Sequence, residues 1–131
     1  MAVTIPEEFL DLAEKRSIIS LATLMADGRP QVTPMWWLYE APYIVVNTAR
    51  GRVKEENMRR DPRVALEIRD PNNPYRYLGA QGRVVEMTEQ GAVEVIDRLA
   101  ERYTGRKQYG VPAGEVRVTV KIELENVWTM G

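Results

Sequence analysis

The chain has no cysteine and no histidine among its 131 residues. Without cysteine there can be no disulfide, thiolate nucleophile or thiolate-bound zinc. Without histidine there can be no Ser-His-Asp triad, imidazole base or haem-ligating imidazole. No apolar run approaches the roughly 20 residues that a membrane-spanning helix needs. The opening stretch, MAVTIPEEFLDLAEKR, is acidic and amphipathic, unlike a secretory leader, which is basic and then apolar. The expected location is therefore the cytoplasm, with no membrane partner. A strong charge of either sign is also missing: the net charge is -1 and the pI about 5.6. That speaks against nucleic acid, whose usual footprint is a basic domain. What remains is chemistry from carboxylates, lysines, tyrosines or backbone amides, or from a bound cofactor that brings its own reactivity.

Hydrophobic residues make up 44% and charged residues 28% of the chain, the balance of a globular protein. The length suits one domain, residues 1–131, with a core of its own. Pro6 and the apolar Phe9, Leu10, Leu12 and Ala13 predict a first helix. SIISLATLM (17–25) and QVTPMWWLY (31–39) predict two strands joined at Asp27-Gly28, a hairpin signal. Pro34 puts the second strand at an edge or a bulge, because it cannot donate to a ladder. YIVVNT (43–48) is a third strand.

A short helix over 50–60 follows, supported by the i,i+4 pairs Glu55–Arg59 and Glu56–Arg60 and ended by Asp61-Pro62. RVALEIR (63–69) alternates as a strand with Val64, Leu66 and Ile68 on one face. YRYLGAQGRVVEM (75–87) is a long strand in which Gly79 and Gly82 mark a bend or bulge. Thr88 can cap an amphipathic helix that runs to about Tyr103 and stops at Gly105. EVRVTVKIELENVW (115–128) is the last strand. Six strands with hairpin links and three helices make a mainly β chain with helices (α+β), an antiparallel barrel or barrel-like sheet.

Two stretches carry chemistry. Between Arg50 and Arg63 stand six Arg or Lys residues, in a chain with almost no net charge. Thr48, Arg50, Arg52 and Lys54 crowd the start of the predicted helix, where free N–H groups and the positive end of the dipole attract anions. Gly51 allows close backbone approach. Amides, a hydroxyl, a guanidinium and an ammonium together suit a phosphate. The alternative is a solvated helix whose charges pair along its face. The second stretch is aromatic. Trp36 and Trp37 point to opposite faces of a strand, one for the core and one for a ligand or a partner chain. Tyr75 and Tyr77 share a strand face, with Arg76 opposite, and could form a wall for a planar ring.

Taken together, GRPQVTPMWW, NTARGRVKEENMRRDPRV and DPNNPYRYLGAQGRVVEMTEQGA resemble the flavin/deazaflavin oxidoreductase superfamily. This is the split β-barrel group around pyridoxamine 5′-phosphate oxidase, and the chain is most similar to its coenzyme F420-dependent oxidoreductase branch. The resemblance covers nearly the whole chain and is most specific in R-x-K-x-x-N-x-R-R-D-P-R, Arg52 to Arg63. It implies a six-stranded antiparallel split β-barrel of the FMN-binding type and a homodimer with cofactor sites at the subunit interface. Arg52 and Lys54 would hold the cofactor phosphate, with Asn57 and Arg60 in support. Thr33, Pro34, Met35 and Trp36 would border the ring, and Val46, Asn47 and Thr48 the ribityl-phosphate arm. Tyr75 and Tyr77 would come from the other subunit. The implied cofactor is coenzyme F420, with FMN as the alternative, and the implied reaction is hydride transfer to a small electron-poor organic acceptor. The resemblance implies no catalytic side chain and no metal. A non-enzymatic flavin- or deazaflavin-binding protein would share the same residues.

Overall fold

A computed structural model describes residues 2–131. Seven strands form one sheet in the order β2-β1-β5-β6-β7-β4-β3. In chain order they are β1 (Ile19–Leu24), β2 (Pro30–Met35), β3 (Leu38–Glu40), β4 (Tyr43–Ala49), β5 (Arg63–Asp70), β6 (Asn73–Thr88) and β7 (Arg117–Met130). Every neighbouring pair is antiparallel. The two edge strands, β2 and β3, are separated in the chain by Trp36 and Trp37 alone. Three peptide units span at most about 11 Å, so the two edges must meet at one end. The sheet therefore curls into an open barrel with its seam at this Trp pair. One apolar core fills the concave face, with residues from six strands, Met58 from the segment between β4 and β5, and Phe9 and Leu12 near the N-terminus.

The strand count is seven and not the expected six, because the segment 31–39 breaks in two. Trp37 is fully buried, and its indole N–H donates to Ser17 Oγ at 3.0 Å. The Trp37 backbone N–H donates to Tyr103 Oη at 3.4 Å, and its carbonyl accepts from Arg102. With its backbone groups satisfied by side chains, Trp37 has no need of a ladder partner, and the chain crosses from one edge to the other. Pro34 lies on edge strand β2, as a missing N–H requires.

The first helix is a 3₁₀ helix, Glu7–Ala13, with Pro6 at its N-cap. In that geometry residues three apart eclipse, so Phe9 and Leu12 go inward while Leu10 turns out to solvent, against expectation. Arg76 is not a free basic edge. It pairs with Asp11 and Asp70 at 2.9 Å each and stacks on Phe9, which ties the 3₁₀ helix to β5 and β6. Lys15 adds a bond to Asp70 at 3.0 Å.

Helix α1 (Val53–Arg60) bridges β4 and β5, and α2 (Ala92–Thr104) follows β6. The N-cap of α2 is Gly91 rather than Thr88, which is the last residue of β6 and instead accepts from the Gln90 N–H in the turn. Gly105 ends α2 in the left-handed region, as expected. Helix α2 packs on the convex side of β4 and β7, so β4 from Ile44 to Ala49 and the start of β7, Arg117 to Val120, are buried on both faces. On β6 the register shifts at Gly82, one of the two glycines expected to mark an irregularity. Gly79 serves a different purpose: the Trp128 indole lies where a Cβ would be, 2.3 Å from that position.

Candidate functional site

A cleft of about 370 Å³ opens beside the seam, between α2, the end of β2 and the start of α1. Pro34, Met35, Trp36, Asn47, Arg52 and Lys54 line it, together with Ile18, Ile96, Leu99 and Tyr109. Six of the thirteen expected site residues are thus brought together around one opening. Alternation along the strands sorts the rest. On β4, Val46 and Thr48 point to the core face, while Asn47 points to the α2 face and the cleft. Thr33 lies on the inward-facing side of β2. Its Oγ1, like those of Thr48 and the Gln31 amide oxygen, is buried without a hydrogen-bond partner among the described residues.

Asn57 and Arg60 lie on α1 outside the cleft. Asn57 donates to Thr23 Oγ1 at 3.0 Å and accepts from Arg60, whose guanidinium also donates to the Leu24 carbonyl at 3.2 Å. These two residues fasten α1 to β1. Tyr75, 81% exposed, and the half-buried Tyr77 lie on β6 outside the cleft of their own chain.

The cationic end is narrower than the sequence implies. Arg50 pairs with Glu89 at 2.8 Å, Arg59 with Glu55 and Arg63 with Asp61. The expected Glu56–Arg60 pair does not form. Arg52, the N-cap of α1, makes only a long 3.4 Å contact with Glu115. Lys54 has no carboxylate partner among the described residues. Its ammonium is partly withdrawn from water and lies near Arg52 and Arg117, and these effects lower its pKa below the usual lysine value, burial foremost. Gly51, in the left-handed region, makes the turn into α1, and its N–H donates to the Glu55 carboxylate at 3.0 Å. No side chain caps the start of α1, and the two under-paired cations stand there, at the N-cap and in the first turn.

The aromatic end is built by Trp36, which stacks on Tyr103 with centroids 5.4 Å apart and meets the edge of Tyr109 at 6.2 Å. Tyr103 is itself fixed by donating to the Ser17 carbonyl at 2.5 Å, and burial raises its pKa. One Trp in the core and one facing the cleft is the division expected of the pair. Tyr109 comes from the irregular segment between α2 and β7, anchored where its N–H donates to Asp97 at 2.8 Å.

Arg117 is the residue sequence reasoning missed. It alternates out of the apolar face of β7, a position that reads as solvent-facing, yet it is buried. Its Nε donates to Asn47 Oδ1 at 2.9 Å, a second nitrogen donates to Glu115 at 3.1 Å, and the Tyr109 ring lies 5.1 Å from its guanidinium carbon. The one available signal was the cover supplied by α2, since a strand roofed by a helix hides its second face too. Chemically, the cleft offers an unpaired ammonium and a loosely held guanidinium at one end, with buried Arg117 behind Asn47. At the other it offers an aromatic and aliphatic slot. An anionic group joined to a flat ring fits this arrangement of donors.

Solved structures share the fold. An F420 reductase matches with a TM-score of 0.84 and 30% identity, over 95% of this chain and 98% of that one. Rv2991 from Mycobacterium tuberculosis matches at 0.74 and 26%, over 98% and 86%. HupZ from Group A Streptococcus matches at 0.72 and 21%, over 96% and 94%. A family model of pyridoxamine 5′-phosphate oxidase matches residues 5–131. The chain therefore belongs to the pyridoxamine 5′-phosphate oxidase family, within the flavin- and deazaflavin-binding oxidoreductases of that fold.

Proposed function

We propose that this protein is a coenzyme F420-dependent oxidoreductase that transfers a hydride between the deazaflavin and a small electron-poor organic acceptor. The observation that carries the reading is the under-paired Arg52 and Lys54 at the start of α1, facing the Trp36 slot across one cleft. Likeness to an F420 reductase at 30% identity supports the deazaflavin over its alternative, FMN. When bound, the deazaflavin supplies the hydride from its C5. The chain's own residues bind and orient. Lys54 and Arg52 hold the phosphate. Met35 and Trp36 border the ring, with Tyr103 backing the indole. Ile18, Ile96 and Leu99 keep water from the slot, and such exclusion and alignment are the protein's main contribution to a cofactor reaction.

Assembly as a homodimer belongs to the same reading, with Tyr75 and Tyr77 of each copy completing the site of the other. Its support is an exposed row of large apolar side chains. Tyr75, Trp128 and Met130 lie on adjoining β6 and β7. The test is a side-by-side fluorescence titration with coenzyme F420 and with FMN, using wild type, Arg52→Ala and Lys54→Ala. Tight F420 binding, weakened in both variants, is expected. Preference for FMN would move the protein to the flavin branch, and binding of neither would overturn the phosphate site.

A further inference from the structure

Arg52 and Lys54 line the polar end of the cleft, buried Arg117 lies near them, and one carboxylate bridges the two arginines. Glu115 divides its two oxygens between the arginines: Oε2 accepts from Arg117 at 3.1 Å and Oε1 from Arg52 at 3.4 Å. The two bonds are unequal. The Arg117 side chain is 3% exposed and also holds Asn47, so it cannot leave without dismantling the packing between β4, β7 and α2. The Arg52 side chain is 47% exposed, makes no other hydrogen bond and is free to turn. Glu115 itself lies two residues before β7 and is anchored by Arg117 and by its N–H, which donates to the Pro112 carbonyl at 3.1 Å. An anion entering beside Lys54 therefore meets an Arg52 that is already partly neutralised.

We infer that Glu115 is an internal counter-anion, a positioning residue that holds Arg52 off the anion site until a ligand phosphate displaces it. The inference rests on the phosphate-site reading above. The exchange forms and breaks no covalent bond: one ion pair, Arg52–Glu115, is replaced by another, Arg52–phosphate. Its consequence is selectivity. Free phosphate has only its charge with which to displace Glu115, whereas a phosphate carried on a ring also gains the Trp36 slot.

The experiment is calorimetric titration of wild type, Glu115→Gln and Glu115→Asp with inorganic phosphate, FMN and riboflavin at constant ionic strength. Removing the carboxylate takes away both the competing pair and a repulsive charge. Glu115→Gln is expected to bind inorganic phosphate and FMN roughly tenfold more tightly. Riboflavin, which lacks the phosphate, should be unaffected, and Glu115→Asp should stay near wild type. A purely structural role would move riboflavin and FMN together. Glu115→Ala, also without the charge, gives a second reading should the Gln variant be unstable. Unchanged or weaker phosphate binding in folded Gln and Ala variants overturns the inference while leaving the site intact. Loss of phosphate dependence in wild type, with Arg52→Ala and Lys54→Ala indistinguishable from it, overturns the site itself and the inference with it.

Discussion

Lys54 stands near two arginines with no carboxylate of its own. Its lowered pKa means that the free protein holds this charge reluctantly, while a bound phosphate favours the charged form. Binding therefore takes up a proton once the pH exceeds the free Lys54 pKa. Affinity for a phosphate ligand should be level below that pKa and fall as pH rises through it, beginning at lower pH than an ordinary lysine would allow. Titrations carried up to the ordinary lysine pKa of about 10.4 should show the fall in wild type and not in Lys54→Arg, which keeps its charge throughout. The same fall in both would rule out Lys54 as the source. Lys54→Ala should lose roughly ten- to a hundredfold in affinity, the scale of one charged hydrogen bond. Trp37, by contrast, is structural. Trp37→Ala should destabilise the fold by about 3–5 kcal/mol in denaturant unfolding, because it empties a fully buried site and leaves Ser17 without its indole donor.

Helix α1 shows how an element can carry site residues and fastening residues in one motif. The pattern R-x-K-x-x-N-x-R-R reads as a single basic strip, but folding divides it along the helix, its first turn against the turns that follow. Arg52 and Lys54 face the cleft, and Asn57 with Arg60 face the end of β1. Asn57→Ala should therefore cost about 1–3 kcal/mol of stability by leaving buried Thr23 short of a partner. It should change ligand affinity far less than Lys54→Ala does, so paired unfolding and binding measurements separate the two roles. At the N-terminus, the Asp11 and Asp70 carboxylates hold the 3₁₀ helix through Arg76 and Lys15. The hydrogen bond from Arg76 is the main cause that lowers the Asp11 pKa from 3.8 to about 2. A carboxylate depressed in the folded state stabilises above its unfolded pKa, and that contribution disappears as pH falls from about 4 toward 2. The melting temperature should drop through this window in wild type and more gently in Asp11→Asn. At neutral pH the variant should lose no more than about 1 kcal/mol, because solvent screens the pair.

Over the whole molecule, period and punctuation made the strands and α-helices legible: alternation in 63–69, Gly105 as a stop, Pro34 as an edge marker. What stayed hidden depended on contacts between distant segments. The break at Trp36–Trp37 comes from Tyr103 and Arg102 of α2, and the burial of Arg117 comes from α2 lying over β7. Neither partner is near in sequence. The candidate site was legible where it is local, at 34–36 and 52–54, and illegible where buried Arg117 of β7 stands behind Asn47. The dimer reading belongs to this scale as well. Sedimentation should report twice the chain mass, and Trp128→Arg, at the exposed row, should shift the protein toward one chain and weaken cofactor binding together. A dimer that persists with full binding would place the interface elsewhere.

The seam gives the cleft a property of its own. Trp36 is both a wall of the slot and one of only two residues joining the sheet's free edges. A guest that pries at the slot therefore pulls on the clasp of the barrel. Tightness of the grip and tightness of the barrel then become a single mechanical quantity.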